Sequence, residues 1–309
     1  MEGIGAEMSN NKVMVNEKPL ELTNLNKIFF PEKGFRKGDL IKYYVEVSPW
    51  LLPHLKNRPI VMKRYPDGIG GKWFYQKRCP EHAPEWLETV FVEGSEENIN
   101  YCLCSDEAAL AWFINQGCIE LHPWLSSLDK LDVPDFMVLD LDPSEGVPFA
   151  QVVEIALAVK ECLAICNLTG FPKTSGASGI HVYVPLKKVY SYSQIRTAAK
   201  LVADLVCQRV PGLATIERRV SKRTGQVYVD YLQNAAGKTI ASVYSVRPVE
   251  SASVSMPLTW EEISSKQIFP GMFTIDSALH RLREKGDMFG PVLTEEYSLE
   301  HLLQEKSDG

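Results

Sequence analysis

The sequence predicts an α+β fold with mixed or antiparallel sheets flanked by helices. Three observations carry that expectation. Strand-like and helix-like stretches mix along the 309 residues without the strict alternation a doubly wound parallel sheet requires. No internal repeat and no Gly/Ser/Pro-rich linker interrupts the chain. With 45% hydrophobic and 23% charged residues, the chain has the composition of a globular protein with a substantial core. The expected organisation is a loose polar tail over residues 1–18, then a single domain over residues 19–309, with one lobe or two.

The elements follow in order. Arg36 to Leu55 carries an apolar stripe (Leu40, Tyr43, Tyr44, Val47, Leu51), which predicts a helix ended by Pro53 and the Pro59 beyond. Pro59 to Tyr65 and Trp73 to Lys77 read as strands around the turn Pro66-Asp67-Gly68. Asp106 to Cys118 is a second helical pattern, and Asp135 to Leu141 a strongly apolar strand. Phe149 to Leu168 reads as a helix stopped by Gly170, Ile180 to Leu186 as a strand, and Ser193 to Val210 as a helix stopped by Pro211-Gly212. Gln226 to Tyr231 and Ile240 to Val246 read as strands. Thr259 and Glu262 form a capping-box pair that opens a short helix, and Asp276 to Glu284 and Ser298 to Glu305 are the last helical stretches.

Several classes are excluded. No run of about 18 apolar residues occurs, so no transmembrane helix is expected. The N-terminus lacks the apolar region of a secretory signal. Seven cysteines without a C-x-x-C pair read as reduced thiols in a cytosol-like compartment, and Cys79, His82, Cys102 and Cys104 lack the spacing of a zinc site. The net charge of −6 argues mildly against nucleic acid, but the charge is unevenly spread. From Asn24 to Pro80, twelve Lys/Arg face four Asp/Glu; from Val249 on, five face eleven. A basic stretch on an acidic chain still attracts phosphate, although most charge runs are solvated surface.

Three stretches carry chemistry. In Phe136-Met-Val-Leu-Asp140-Leu-Asp142-Pro, a buried strand runs into two carboxylates on one face, which repel unless a cation binds between them. Mg²⁺ or Mn²⁺ suits such oxygen ligands; a strand end followed by a turn is the bland alternative. Ser175-Gly176-Ala-Ser178-Gly179-Ile-His181 is a small-residue loop that lets backbone N–H groups approach a phosphate, with His181 placed to donate to the same anion. Val227-Tyr-Val-Asp230 supplies a third carboxylate, and Val243-Tyr-Ser-Val-Arg247-Pro ends in an arginine able to fork onto phosphate oxygens. Three strand carboxylates, a glycine loop and a terminal arginine together describe two-metal nucleotidyl transfer.

These motifs, with LTNLNKIFFP, KGDLIKYY, LPHLKNRP, MKRYPDG, FYQK, IELHPW and VYVDYLQNAAGKT, resemble the polymerase domain of bacterial and archaeal ligase D, in the archaeo-eukaryotic primase superfamily, from Leu22 to Pro248. The resemblance implies a primase-polymerase fold and a template-directed nucleotidyltransferase. That enzyme fills gaps or extends ends in non-homologous end joining, prefers ribonucleotides and uses two divalent ions, Mn²⁺ or Mg²⁺. It implies Asp140, Asp142 and Asp230 as metal-binding carboxylates; His122, Ser175, His181, Lys238 and Arg247 as nucleotide-binding; and Asn24, Lys27 and Lys37 as the DNA 5′-phosphate pocket, with Lys63 nearby. Phe74 and Tyr75 match a template-stacking pair, and Arg223 and Gln233 match further DNA contacts. Ser178 stands where the family often has a basic residue, and Tyr75 replaces a second Phe.

The implied partners are DNA ends or gaps with a 5′-phosphate, ribo- and deoxyribonucleoside triphosphates, and an end-binding protein, with no membrane. No K-x-D-G ligase motif occurs, so the ligase is either a separate protein or a module of a longer chain. The expected location is the cytoplasm, at the nucleoid during repair. A primase that starts chains unprimed and a non-catalytic DNA-end bridging module are the alternatives. Unprimed synthesis on a single strand would mark the first; function surviving Asp140→Ala would mark the second.

Overall fold

The computed structural model describes residues 11–94 and 97–304. The chain divides into two compact units, the first running to His122 with Pro248–Ala252 added, the second holding Pro123–Arg247 and Ser253 onward.

The first unit opens with strands β1 (Asn11–Val15) and β2 (Lys18–Leu22), which pair as an antiparallel hairpin. Asn16 and Glu17 take φ of 48° and 62°, the two positive values a tight two-residue hairpin turn demands. Residues 11–18 are therefore ordered strand and turn, not loose tail, and the buried Leu20 anchors the hairpin. Residues 1–10 lie outside the described residues. Strands β3 (Ile28–Phe30) and β4 (Phe35–Arg36) lead into helix α1 (Lys37–Leu55). The helix contains Pro49 and Pro53 and continues past both. Each ring forfeits one helical hydrogen bond, and burial of Val47, Leu51 and Leu55 offsets that loss.

Strands β5 (Ile60–Arg64), β6 (Phe74–Gln76), β7 (Thr89–Val92) and β8 (Ile99–Cys102) form a sheet in the order β6-β5-β8-β7. Helix α2 (Glu107–Asn115), capped by Asp106, packs on α1, and strand β9 (Cys118–Pro123) pairs with β5. The helix ends before the expected Cys118 because Gly117 turns the chain at φ 79°, where an added Cβ would sit 3.2 Å from Tyr65 O.

The second unit is built on one five-stranded sheet. Its elements are β10 (Phe136–Pro143), α3 (Phe149–Ile165), β11 (Phe171–Thr174), β12 (Ile180–Pro185), α4 (Tyr192–Arg209), β13 (Ala214–Thr215) and β14 (Val227–Asp230), followed by α5 (Trp260–Ser264), α6 (Ile275–Lys285) and α7 (Glu300–Gln304). Strand order is β11-β12-β10-β14-β13, antiparallel except for the β13–β14 pair. Helices α3 and α4 pack on each other and on β10, whose Met137, Val138 and Leu139 are fully buried. The sheet is mixed and mostly antiparallel, as the unalternating sequence predicted.

One expected strand is absent. Residues 240–246 turn at Ser242–Ser245, and Tyr244 adopts φ 61°. What remains is a short irregular ladder: Tyr244 N–H donates to Ser255 O, Ser255 N–H to Ser245 O and Arg247 N–H to Ser253 O. The apolar alternation of that stretch reports burial beside the sheet rather than membership of it. Glu305, the expected end of the last helix, lies outside the described residues.

Candidate active site

Strand register brings the charged residues of the second unit into one row. Asp140 on β10 lies directly opposite His181 on β12 and Asp230 on β14, and His181 lies opposite Lys173 on β11. Residues opposite one another in antiparallel strands share a face. Four adjacent strands thus present Lys173, His181, Asp140 and Asp230 side by side. His181 Nε2 stands 3.4 Å from Asp140 Oδ1, and Lys173 Nζ stands 2.8 Å from His181 Nδ1. Asp142 falls two residues beyond Asp140, opposite Tyr228. Asp230 Oδ1 accepts from the Tyr228 hydroxyl at 3.1 Å and the Leu232 N–H at 2.8 Å.

The three carboxylates feel one another. Burial first, then the charges of Asp142 and Asp230, push the Asp140 pKa up to about 7 against the pull of Lys173 and Arg247. Burial also raises Asp142, opposed by Arg223 and reinforced by Asp230. Arg223 stacks 3.7 Å over the Tyr228 ring, with its Nη1 3.9 Å from Asp142 Oδ2. The resemblance implied a DNA contact for Arg223; here it sits among the carboxylates. Among the described residues, no three His, Cys, Asp or Glu side chains close into a ready-made metal cage. The donor set is nonetheless all hard oxygen, and its mutual repulsion is what a divalent cation relieves.

The glycine loop is shaped by Ser175. Its Oγ accepts from the N–H groups of Ala177 at 3.0 Å and Gly179 at 2.9 Å, so those two donors turn inward instead of facing an anion. Arg247 Nη1 donates to the Ser175 carbonyl, tying the arginine to the loop. Gly176 has φ 76°, and an added Cβ would lie 2.5 Å from Arg247 Cγ; at Gly179 it would lie 2.3 Å from Leu141 O. Only glycine fits at either place. Gln233 and the exposed Lys238 lie in the turn after β14. That turn is pinned by Asn234, whose side chain accepts from Val138 N–H at 2.8 Å and donates to Val138 O at 2.7 Å.

The first unit holds a separate basic pocket of about 210 Å³, lined in part by Asn24, Lys27, Lys37, Arg64, Asn115 and Gln116. Asn24 turns the chain at φ 54°, and its carbonyl accepts from Lys27 N–H. Lys27 Nζ bonds Asp67 Oδ1 at 2.5 Å and Pro66 O at 2.8 Å. Lys37 Nζ donates to Thr23 O at 2.7 Å. Burial, then Lys27 and Arg64, lower the Lys37 pKa to about 8. Three cations crowded round a cavity describe an anion site.

Alternation along β5 separates Lys63 from this pocket. Arg64 faces the pocket, donates to Gln116 O at 2.6 Å and lies 5.4 Å from the Phe74 ring. Lys63 takes the opposite face, 3.3 Å from buried Glu120 Oε2 and 4.6 Å from the Trp73 ring. His122 Nε2 meets the same Glu120 oxygen at 2.8 Å and packs edge-on against Tyr75. Phe74 and Tyr75 therefore point to opposite faces of β6, Phe74 beside Arg64 and Tyr75 beside Lys63 and Trp73. Trp73, Phe74 and Tyr75 are all exposed.

Sequence reasoning missed Arg64, Glu120, Trp73, Lys173 and Asn234. The signal for Arg64 was present in the MKRYPDG stretch, where a strand puts Lys63 and Arg64 on opposite faces. The others act only through register or tertiary contact.

The chain is similar to known proteins in sequence and fold. A family model for the primase-polymerase domain of LigD matches residues 36–289. The bifunctional non-homologous end joining protein LigD of Bacillus subtilis is 38% identical over 283 residues, covering 90% of this chain and 45% of that protein. The multifunctional LigD of Mycolicibacterium smegmatis is 34% identical, covering 88% of this chain and 36% of that protein. The chain thus spans less than half the length of these relatives. The structure of the polymerase domain from Mycobacterium tuberculosis ligase D in complex with DNA superposes with a TM-score of 0.83 at 32% identity, covering 90% of this chain and 99% of that one. With the family model covering most of its length, the chain belongs to the LigD primase-polymerase domain family, a family of DNA-directed nucleotidyltransferases.

Proposed function

We propose that this chain extends a primer strand on a template, filling gaps at DNA ends during non-homologous end joining, with a preference for ribonucleotides. The observation that carries this reading is the in-register row of His181, Asp140 and Asp230, with Asp142 two residues on. Asp140, Asp142 and Asp230 would hold two divalent ions, Mn²⁺ or Mg²⁺. When bound, such ions supply Lewis-acid activation of a 3′-hydroxyl and neutralise triphosphate charge.

The chain's own groups do the positioning. Arg247, held on the Ser175 carbonyl, presents its guanidinium to triphosphate oxygens. His181 turns its Nε2 toward Asp140, 3.4 Å from Oδ1, as a hydrogen-bonding group for the nucleotide. Ser175 Oγ already accepts two N–H groups, so its own proton is what it offers a ribose 2′-hydroxyl, the polar partner a ribonucleotide preference needs. Lys238 completes the nucleotide contacts of the second unit. Asn24, Lys27, Lys37 and Arg64 hold the 5′-phosphate of the downstream strand, and Phe74 and Tyr75 stack on template bases. The partners are gapped DNA, nucleoside triphosphates, a DNA ligase activity and an end-binding protein.

The test is extension of a gapped duplex carrying a 5′-phosphate, with each ribo- and deoxyribonucleotide, in Mg²⁺ or Mn²⁺. Wild type should add template-directed ribonucleotides. Asp140→Ala and Asp230→Ala should lose at least about 10³-fold in rate while still binding the duplex. Full extension by Asp230→Ala, or nucleic-acid breakdown in place of growth, would end this reading.

A further inference from the structure

Asn115 is the last residue of α2, and every residue between it and Glu107 is apolar. It is buried and lines the basic pocket of the first unit, and none of the roles above uses it. Its amide grips two backbone groups of one short segment: Oδ1 accepts from Thr23 N–H at 3.0 Å, and Nδ2 donates to Glu21 O at 2.9 Å. The partners decide which end is which. A peptide N–H only donates and a peptide carbonyl only accepts, so the oxygen faces Thr23 and the nitrogen faces Glu21. The gripped segment seats Lys37, whose Nζ donates to Thr23 O at 2.7 Å and to Thr23 Oγ1 at 3.2 Å. The facing wall of the cavity hangs on the next two residues of the chain. Gln116 O accepts from Arg64 Nε at 2.6 Å, and Gly117 O from Tyr65 N–H at 2.7 Å. Residues 115–117 therefore hold Lys37 on one wall and Arg64 on the other. Among the described residues, strand pairing does not join these walls: β2 pairs with β1, and β5 with β6, β8 and β9.

We propose that Asn115 is a positioning residue of the anion pocket: by clipping residues 21–23 to the end of α2, it holds Lys37 opposite Arg64, so that both cations close on one 5′-phosphate. That role rests on the 5′-phosphate reading of the pocket given above. Cost points the same way. Burying a primary amide is unfavourable unless both of its ends are bonded, and a leucine here would extend the apolar run of α2 without that cost. A leucine cannot hold a peptide N–H and a peptide carbonyl at once. Thr23, and with it the two oxygens that seat Lys37, would lose the link to α2. Lys37 and Arg64 repel each other, so walls without that link relax apart before an anion arrives. Cations held in place meet a phosphate with less rearrangement, and the saving appears as affinity.

The test is binding of a gapped duplex, with either a 5′-phosphate or a 5′-hydroxyl at the gap, read by fluorescence anisotropy below the Lys37 pKa of about 8. The proteins compared are wild type, Asn115→Leu, Lys37→Ala and the double variant. Asn115→Leu is expected to bind the phosphorylated gap about fivefold more weakly and the hydroxyl gap within about twofold of wild type. Because Asn115 acts through Lys37, the double variant is expected to lose no more than Lys37→Ala alone. An unchanged phosphorylated gap, equal losses on both gaps, or losses that multiply in the double variant each overturn the proposal. If Asn115→Leu does not fold, amide hydrogen exchange of the wild type decides. The Thr23 N–H should exchange at least about threefold more slowly with the phosphorylated gap than with the hydroxyl gap, and equal rates overturn the proposal. A wild type that binds both gaps equally would remove the 5′-phosphate reading itself, and this role with it.

Discussion

Lys37 shows how one residue ties the pocket to pH. Burial, with Lys27 and Arg64 close by, lowers its pKa from 10.5 to about 8. Between those values the unfolded chain holds the proton and the folded chain does not. The stability cost of burying this charge is therefore complete below about pH 8 and lifts as pH rises toward 10.5. A bound phosphate works the other way, favouring the ammonium. The added affinity for a 5′-phosphorylated gap over a 5′-hydroxyl gap is thus expected to shrink as pH rises through about 8, read by fluorescence anisotropy across that range. A flat difference would remove Lys37 from the pocket. Lys27→Ala, Lys37→Ala and Arg64→Ala should each weaken binding of the phosphorylated gap about tenfold and leave the hydroxyl gap nearly unchanged. Equal losses on both duplexes would mean these cations serve the DNA backbone at large.

At the level of elements, the loop between β11 and β12 is the tightest point. Gly179→Ala would push a methyl to 2.3 Å from Leu141 O and separate β12 from β10, the strands that carry His181 and Asp140. The expected cost is about 2–3 kcal/mol, seen as a lower denaturation midpoint, together with loss of extension. Gly70→Ala, where nothing lies within 4 Å of the added Cβ, is the comparison and should change neither. The long helices were legible because an apolar stripe sustained over several turns fits little besides a helix: α1, α3 and α4 fall within a few residues of expectation. Short strands β3, β4, β7, β8, β9, β11 and β13 were not foreseen, because a few residues carry too little pattern to separate a strand from a loop.

For the molecule as a whole, a net charge of −6 coexists with a basic stretch that lines a cationic pocket, so local arrangement and not total charge would govern the phosphate binding proposed for it. Removing Lys27 or Lys37 should lower the slope of log affinity against log salt by about one for each cation lost, measured on gapped duplex. Phe74→Ala and Tyr75→Ala should each lower affinity about tenfold for every template sequence and leave that slope alone. Because the two rings face opposite sides of β6, their effects should add in the double variant. Strong non-additivity would mean that one base spans both.

Much of the candidate site was legible along the chain. Asp140, Asp142 and Asp230 were visible as carboxylates interrupting apolar strands, the Ser175–His181 loop as a glycine turn feeding a strand, and Lys27 and Lys37 as motif lysines. These signals are local: a carboxylate in a buried strand or a glycine in a tight turn is costly in a way that sequence alone displays. The rest depended on register and contact. Strand pairing set Lys173, His181, Asp140 and Asp230 in one row, moved Lys63 away from the pocket and put Arg64 into it, and turned 240–246 from strand into loop. Residues far apart in the chain become neighbours only when strands align, and a shift of one position would send each side chain to the other face.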